Sequence, residues 1–176
     1  MLYALIDAWQ GVRNFMDQGG VILYAIAVLI FIMWTFIIER LWYFKTALHH
    51  DRDQTLAIWE SRSERKSKHA KQIREALISR ASERIDQFMP LIKTMVTLAP
   101  LFGLLGTVTG MVAVFEIMAL TGGGDAKSMS GGVSKATIPT MSGMVAAISG
   151  VFGYTYLERI ANREKQLLED HLTMDH

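Results

Sequence analysis

The chain has 176 residues, of which 51% are hydrophobic, and its 18 lysines and arginines nearly balance its 17 aspartates and glutamates. Charged residues are absent from three long segments, 21–38, 94–115 and 136–157. This clustering excludes one soluble core with charges spread around it, and the absence of cysteine excludes a disulfide scaffold and any cysteine-bound metal. The sequence therefore predicts an all-α integral membrane protein with three spans.

The first predicted element, residues 1–18, is an amphipathic segment lying along the outer membrane interface. Gly19 and Gly20 are predicted to form the turn into the first span, residues 19–44. Its 18 uncharged residues would rise ~27 Å as a helix, close to the ~30 Å of a hydrocarbon core. No basic region precedes a short apolar stretch, so we expect an uncleaved span and not a signal peptide.

Residues 45–90 form the next element, a charged cytoplasmic loop that is predicted to be helical. Apolar residues recur in it at roughly helical spacing, from Ile73 and Leu77 to Ile85 and Phe88, and lead directly into the second span. Acidic residues are interleaved with the basic ones. The segment is therefore predicted to be a solvated surface and not a nucleic-acid-binding one.

The second span (91–120) and the third (133–157) are joined by a predicted external turn at 121–132. That turn, TGGGDAKSMSGG, is too short for anything but an antiparallel hairpin. Residues 158–176 are predicted to continue the third span as an amphipathic cytoplasmic tail helix, so long helices extend into the cytoplasm.

Lysine and arginine lie mainly on one side of the predicted membrane. Twelve of the 18 fall within 40–93 and three more follow Leu157, whereas only Arg13 and Lys127 lie clearly on the other side. By the positive-inside rule, the N-terminus is outside and the loop and C-terminus are cytoplasmic.

The second and third spans are rich in small and hydroxyl-bearing residues. Small residues allow close helix approach, and the predicted packing positions are Gly103, Gly106, Gly110, Gly143 and Gly150. Packing does not account for the many hydroxyls, among them Thr107, Thr137 and Thr140. Pro100 and Pro139 also lie within the spans, where freed carbonyls need protein or water partners. These features predict an oligomer whose second and third spans line a central path.

Two charges fall inside the hairpin, Glu116 near the end of the second span and Lys135 near the start of the third. An antiparallel hairpin would place them at similar depth. Because charges within a membrane are costly, we hypothesise an ion pair between them, within one subunit or between neighbours. The alternative is that each side chain reaches the outer interface separately.

The motifs of the three spans together resemble the ExbB/TolQ/MotA family of proton-channel motor subunits. APLFGLLGTVTGM matches the pattern AP-x-x-GL-x-GTV-x-G, and GVSKATIPTMSGMVAAISG is similar to G-I-x-E-A-L-x-x-T-x-x-G-L-x-x-A-I-P. The first span, with its ERLWYF ending, also fits. The resemblance covers nearly the whole chain and is strongest to ExbB members with short chains.

Carried over by position, Thr107 and Thr140 fall on the family's two span threonines, and both would face the lumen. Lys135 departs from the pattern, which has glutamate there, and Pro139 and Ser149 depart as well. Glu116 stands where the pattern is usually apolar. The candidate proton-path residues are therefore Thr107, Thr140, Thr137, Lys135 and Glu116.

The resemblance implies a homopentamer in the bacterial inner membrane with a periplasmic N-terminus. Its lumen would hold an ExbD-type single-span partner that carries a proton-accepting aspartate, and work would pass to a TonB-type protein for outer-membrane import. No enzyme activity, cofactor, metal or nucleic acid is expected.

Four alternatives to this interpretation exist. A MotA-type flagellar subunit has a fourth span and a longer loop, which counts against it. A TolQ-like role in envelope maintenance and a non-conducting membrane scaffold stay open. An intramembrane enzyme is disfavoured, because the spans contain no Ser/His or paired-Asp constellation.

Overall fold

The computed structural model describes residues 2–61, 67–122 and 126–172, which are almost entirely helical. Four helices follow one another: α1 (Leu2–Glu60), α2 (Lys68–Asp86), α3 (Met89–Thr121) and α4 (Ala126–His171). The predicted all-α fold is confirmed, as is the helical tail. Parts of the predicted loop (62–66), turn (123–125) and tail (173–176) lie outside the described residues.

Three stretches of the described chain are long and apolar enough to cross a membrane. They are Trp9–Leu48, Lys68–Leu120 and Ser130–His171. The prediction of a three-span membrane protein is thereby confirmed. The limits of the spans within the bilayer, 19–44, 91–120 and 133–157, stay a prediction.

Helix α1 is interrupted at Gly20, whose backbone has φ 64° and ψ −162°. This conformation is accessible essentially only to glycine, because any Cβ would clash with the backbone. The turn predicted at Gly19 and Gly20 is therefore confirmed at Gly20. It separates an amphipathic first segment from the apolar part of α1.

Helices α2 and α3 are separate, whereas the sequence pattern predicted one continuous run into the second span. Phe88 adopts a left-handed conformation with φ 66° between them. Pro90 favours this break, because proline lacks the backbone N–H that a helix continuing from α2 would need but is tolerated in a first helical turn. The Phe88 ring lies 5.1 Å from that of Phe36 on α1, a contact that helps offset the backbone strain.

Helix α4 begins at Ala126, inside the segment 121–132 that was predicted to be a turn. Glycines were the basis of that prediction, but Gly131 and Gly132 are helical. A Cβ at Gly132 would lie 2.2 Å from Cγ2 of Val114 on α3. Glycine here allows close helix packing, and the hairpin connection is correspondingly shorter.

The chain divides into two compact units. The first holds the described residues up to Met33 together with Thr94–Val151, and its core includes Ile26, Ala99 and Ala146, one residue from each of α1, α3 and α4. The second holds Trp34–Lys93 and the described residues from Phe152 onward. Its core cluster consists of Trp59, Ala70, Leu168 and Leu172.

Candidate functional site

In the first unit, α3 and α4 pack as an antiparallel pair along a seam of small residues. The facing pairs are Ala99 with Gly143, Gly103 with Thr140, Gly106 with Pro139, Gly110 with Ala136 and Val114 with Gly132. Because each helix presents glycine, alanine or a compact side chain at these points, the two backbones can approach closely.

The glycines of the seam leave no space for a methyl group. A Cβ at Gly110 would lie 2.6 Å from Cα of Ala136, and one at Gly143 would lie 2.6 Å from the carbonyl oxygen of Ala99. At Gly103 the nearest atom, Cα of Thr140, would be 3.0 Å away. These obstacles are main-chain atoms, which cannot turn aside as a flexible side chain can.

Gly106 and Gly150 meet side chains instead. A Cβ at Gly106 would lie 2.3 Å from Cβ of the buried Pro139, and one at Gly150 would lie 2.6 Å from the sulfur of Met33 on α1. All five predicted packing glycines therefore lie where an added methyl group would meet a neighbouring helix. Pro139 was not predicted to take part in packing, and Gly132 was predicted to lie in the turn.

The three predicted threonines use their hydroxyl protons differently. Thr140 donates across the seam to the carbonyl of Gly103 at 2.9 Å. Thr107 and Thr137 donate within their own helices, to the carbonyls of residues 104 and 133 at 2.7 and 2.8 Å. Each hydroxyl oxygen keeps lone pairs that can accept a hydrogen bond from water or from a protonated carboxyl group.

Lys135 lies on the other side of the seam, in a cavity of about 280 Å³ shared with α1. Thr109 of α3 lines the same cavity, as do residues 18–22 around the break in α1. Successive helical residues are rotated by ~100°, so Thr107 lies ~160° around α3 from Thr109. Thr140 and Thr137 lie ~140° and ~160° around α4 from Lys135.

The five candidate proton-path residues therefore divide into two groups. Thr107, Thr137 and Thr140 lie on the side of the α3–α4 pair that faces away from α1, which we call the threonine face. Lys135 lies on the side facing α1. Glu116 lies on the same side, because it follows Thr109, which lines the cavity shared with α1, by seven residues or almost two full helical turns.

Glu116 and Lys135 are both exposed and do not lie at similar depth. The contacts of Gly132 with Val114 and of Ala136 with Gly110 set the register, which separates the two charges by about five residues, or ~7 Å along the helix axis. Among the described residues the structure has no ion pair between them. The predicted pair within one chain is therefore not observed, since Lys135 lies further along α4 than the predicted turn implied. The form between neighbouring subunits stays a prediction.

In the second unit, Arg40 is buried, whereas from the sequence it was considered only as one of the positive charges. Its side chain is 2% exposed, and its Nη1 donates to the carbonyl of Arg84 at 3.2 Å. The guanidinium lies 4.9 Å from the ring centre of Tyr43 and 5.2 Å from that of Phe88. Arg40 thus holds the end of α2 and the break at Phe88 against α1.

Comparison with known proteins identifies the family. Residues 42–170 match the model of the MotA/TolQ/ExbB proton channel family. The chain belongs to this family. The match covers most of the chain, including the whole of the α3–α4 seam. The family consists of proton-channel proteins and not enzymes, as the sequence analysis predicted, and its ExbB and TolQ members support a location in a bacterial inner membrane.

Several relatives carry ExbB or TolQ names. The chain is 36% identical over 89 residues to biopolymer transport protein ExbB-like 3 of Synechocystis, an alignment covering 47% of this chain and 42% of that protein. It is 28% identical over 116 residues to ExbB of Xanthomonas campestris, covering 66% and 46%. It is 31% identical over 96 residues to the Tol-Pal system protein TolQ of Pseudomonas aeruginosa, covering 54% and 40%. Each alignment therefore spans less than half the length of the relative.

Proposed function

We propose that this chain is the channel-forming subunit of an ExbB-type motor driven by the proton-motive force. Copies of the chain, five in the expected assembly, enclose a lumen lined by their second and third spans. An ExbD-type single-span partner occupies the lumen, and a TonB-type protein carries the work to outer-membrane import.

The threonine face carries this proposal. Its three hydroxyls lie among exposed apolar side chains of α3 and α4, such as Val108 and Met144. Polar groups on an apolar membrane helix are commonly turned towards a protein interior or a water-filled cavity and not towards lipid. The threonine face is thus the surface best suited to line a wet path.

Lys135 determines which component carries the proton in this proposal. A lysine stands where the family pattern has a glutamate, so this chain supplies no carboxylate at that position. The chain supplies hydroxyls that order water, and the partner's aspartate takes up and releases the proton. Moving one charge across 100 mV yields ~2.3 kcal/mol, so a few protons suffice for conformational work.

The proposal includes an orientation with the N-terminus in the periplasm. Because the chain has no cysteine, single cysteines can report this without background labelling. Cysteine at Gln10 should react with a membrane-impermeant maleimide in spheroplasts, and cysteine at Lys71 should react only after lysis. The reverse pattern would invert the proposed orientation.

A TolQ-like role in the cell envelope is the second candidate, because TolQ relatives of two bacteria match the chain at 31% and 33% identity. Deletion strains separate the two roles. An ExbB-type subunit should restore growth on iron complexes when co-expressed with its ExbD-type partner. A TolQ-type subunit should restore resistance to detergents and bile salts instead.

Proton flux into liposomes tests the channel itself. Co-reconstitution with the partner should give flux that is lost when the partner's aspartate is replaced by asparagine. Thr107→Val with Thr137→Val should lower the flux strongly, while Thr109→Val, on the other side of the seam, should leave it near wild type. Flux that survives loss of the partner's aspartate but vanishes in Glu116→Gln would overturn the proposed proton carrier. Absence of flux from a correctly assembled wild-type complex would favour a scaffold.

A further inference from the structure

The second unit contains a cavity of about 170 Å³ that the proposed channel function does not use. Its walls come from α1, α2 and α4 and combine apolar side chains with five charged ones. The charged residues are Asp51, Arg52, Arg80, Arg84 and Glu164. Three guanidinium groups thus face two carboxylates, leaving one positive charge in excess.

Both carboxylates already have partners. Asp51 accepts a hydrogen bond from the Tyr43 hydroxyl at 2.8 Å and lies 3.7 Å from Nη1 of Arg84. Glu164 lies 3.8 Å from Nη1 of Arg52. These ion pairs are too long for direct hydrogen bonds, so the guanidinium groups keep most of their donors.

Two of the arginines that line the cavity have donors with no acceptor among the described residues. The Nε of Arg52 is buried without a hydrogen-bond partner, and the nearest carboxylate oxygen recorded for it, on the exposed Asp53, is 3.9 Å away. Arg80 is exposed and forms no ion pair or hydrogen bond within the part of the chain that the structure describes, so its guanidinium is open to water and to a ligand. A buried N–H without an acceptor destabilises the fold unless a ligand or water supplies one.

We propose that this cavity binds one small oxyanion of the phosphate class through Nε of Arg52 and the guanidinium of Arg80. Guanidinium groups bind phosphate oxygens in paired hydrogen bonds, which are among the strongest in proteins. Of the apolar lining, Leu48 is buried and Leu77 is half-buried, whereas Ile58 is exposed, so the apolar residues shield Arg52 from water only in part. The cavity is smaller than the ~300–1,000 Å³ typical of drug-sized ligands, which favours a single phosphate group.

The phosphate group has two sources, a free anion or the headgroup of an anionic lipid. The free anion is tested with the full-length protein in detergent, whose thermal unfolding is followed by tryptophan fluorescence. Inorganic phosphate, compared with chloride at equal ionic strength, should raise the unfolding temperature to a saturating limit. Arg80→Gln should weaken the phosphate effect about tenfold, the loss expected for one charge-assisted bond.

The matched control is Arg163→Gln, which removes an exposed arginine of α4 that does not line the cavity. It should respond to phosphate as the wild type does. Arg52→Gln should also lose the response, and Arg80→Gln keeps the test decisive if the substitution of the half-buried Arg52 impairs folding. Equal responses to phosphate and chloride in the wild type would exclude a free-anion site.

Native mass spectrometry after extraction from membranes containing phosphatidylglycerol tests the lipid source. A headgroup site predicts that the wild type and Arg163→Gln retain one anionic lipid per chain, and that Arg80→Gln loses it. A phosphate effect without lipid retention assigns the site to a free anion. Equal lipid retention in all variants, together with no phosphate-specific stabilisation, would overturn the proposal.

Discussion

Thr140 donates its hydroxyl to the carbonyl of Gly103, 2.9 Å away across the α3–α4 seam. The missing side chain of Gly103 permits this contact, because a Cβ there would lie 3.0 Å from Cα of Thr140 and 3.1 Å from the carbonyl oxygen of Pro139. The same threonine belongs to the threonine face. Thr140 therefore takes part both in the packing of the two helices and in the surface proposed to line the lumen.

Replacing Thr140 by valine should weaken this helix pair. The substitution keeps the shape of the side chain but removes the donor, and interhelical hydrogen bonds in membrane proteins contribute ~0.6 kcal/mol on average and up to ~1.7. Thr140→Ser should retain most of the stability. Thr137→Val is the control, because that hydroxyl binds its own helix. Unfolding in mixed micelles measures the differences, and equal losses in the valine variants at 137 and 140 would contradict a special role for Thr140.

Gly143→Ala should separate α3 from α4. The new methyl group would lie 2.6 Å from the carbonyl oxygen of Ala99, which is fixed in helix backbone. Overpacking of this kind costs ~1–3 kcal/mol, and the thermal unfolding temperature should fall accordingly. Gly131→Ala, also on α4, places its methyl group in open space and should be neutral or stabilising by up to ~1 kcal/mol. A loss in Gly131→Ala as large as in Gly143→Ala would contradict the role of the seam, because helix propensity alone favours alanine over glycine.

Arg40→Ala should destabilise the second unit. The substitution removes the hydrogen bond to the carbonyl of Arg84 and the contacts with two aromatic rings. A charged hydrogen bond contributes ~1.5–3 kcal/mol, and denaturant unfolding should show a loss in this range. Arg159→Ala, at an exposed site on α4, should change stability by no more than ~0.5 kcal/mol. If Arg40→Met retains full stability, packing of the side-chain stem and not its charge is the stabilising contribution.

The helices and spans could be predicted from the sequence, because the length of an uncharged stretch and the clustering of charges can be read directly along the chain. The break at Gly20 could be predicted as well, because two adjacent glycines there separate an amphipathic stretch of sequence from an apolar one. The role of Gly132 in helix packing could not be predicted in the same way. A glycine that forms a turn and one that accommodates Val114 look alike until the partner helix is in place.

The division of the candidate site into two faces depended on the register between helices. Lys135 and Thr140 are five residues apart, and rotation of α4 places them on opposite sides of the seam. Only the contacts with α3 and α1 show which side belongs to the α1 cavity. The burial of Arg40 was equally hidden, because it depends on the left-handed Phe88 between α2 and α3.

The separation of Glu116 from Lys135 gives a last expectation. Because the register places them ~7 Å apart along the helix axis, the stability losses of Glu116→Gln and Lys135→Met should add within ~0.5 kcal/mol in the double variant. The measurement is thermal unfolding of all four proteins at low and high salt, since screening weakens any exposed ion pair. A larger coupling that disappears at high salt would instead show that the two residues form an ion pair. Detection of that coupling only in the assembled oligomer, and not after its dissociation, would assign the pair to the subunit interface.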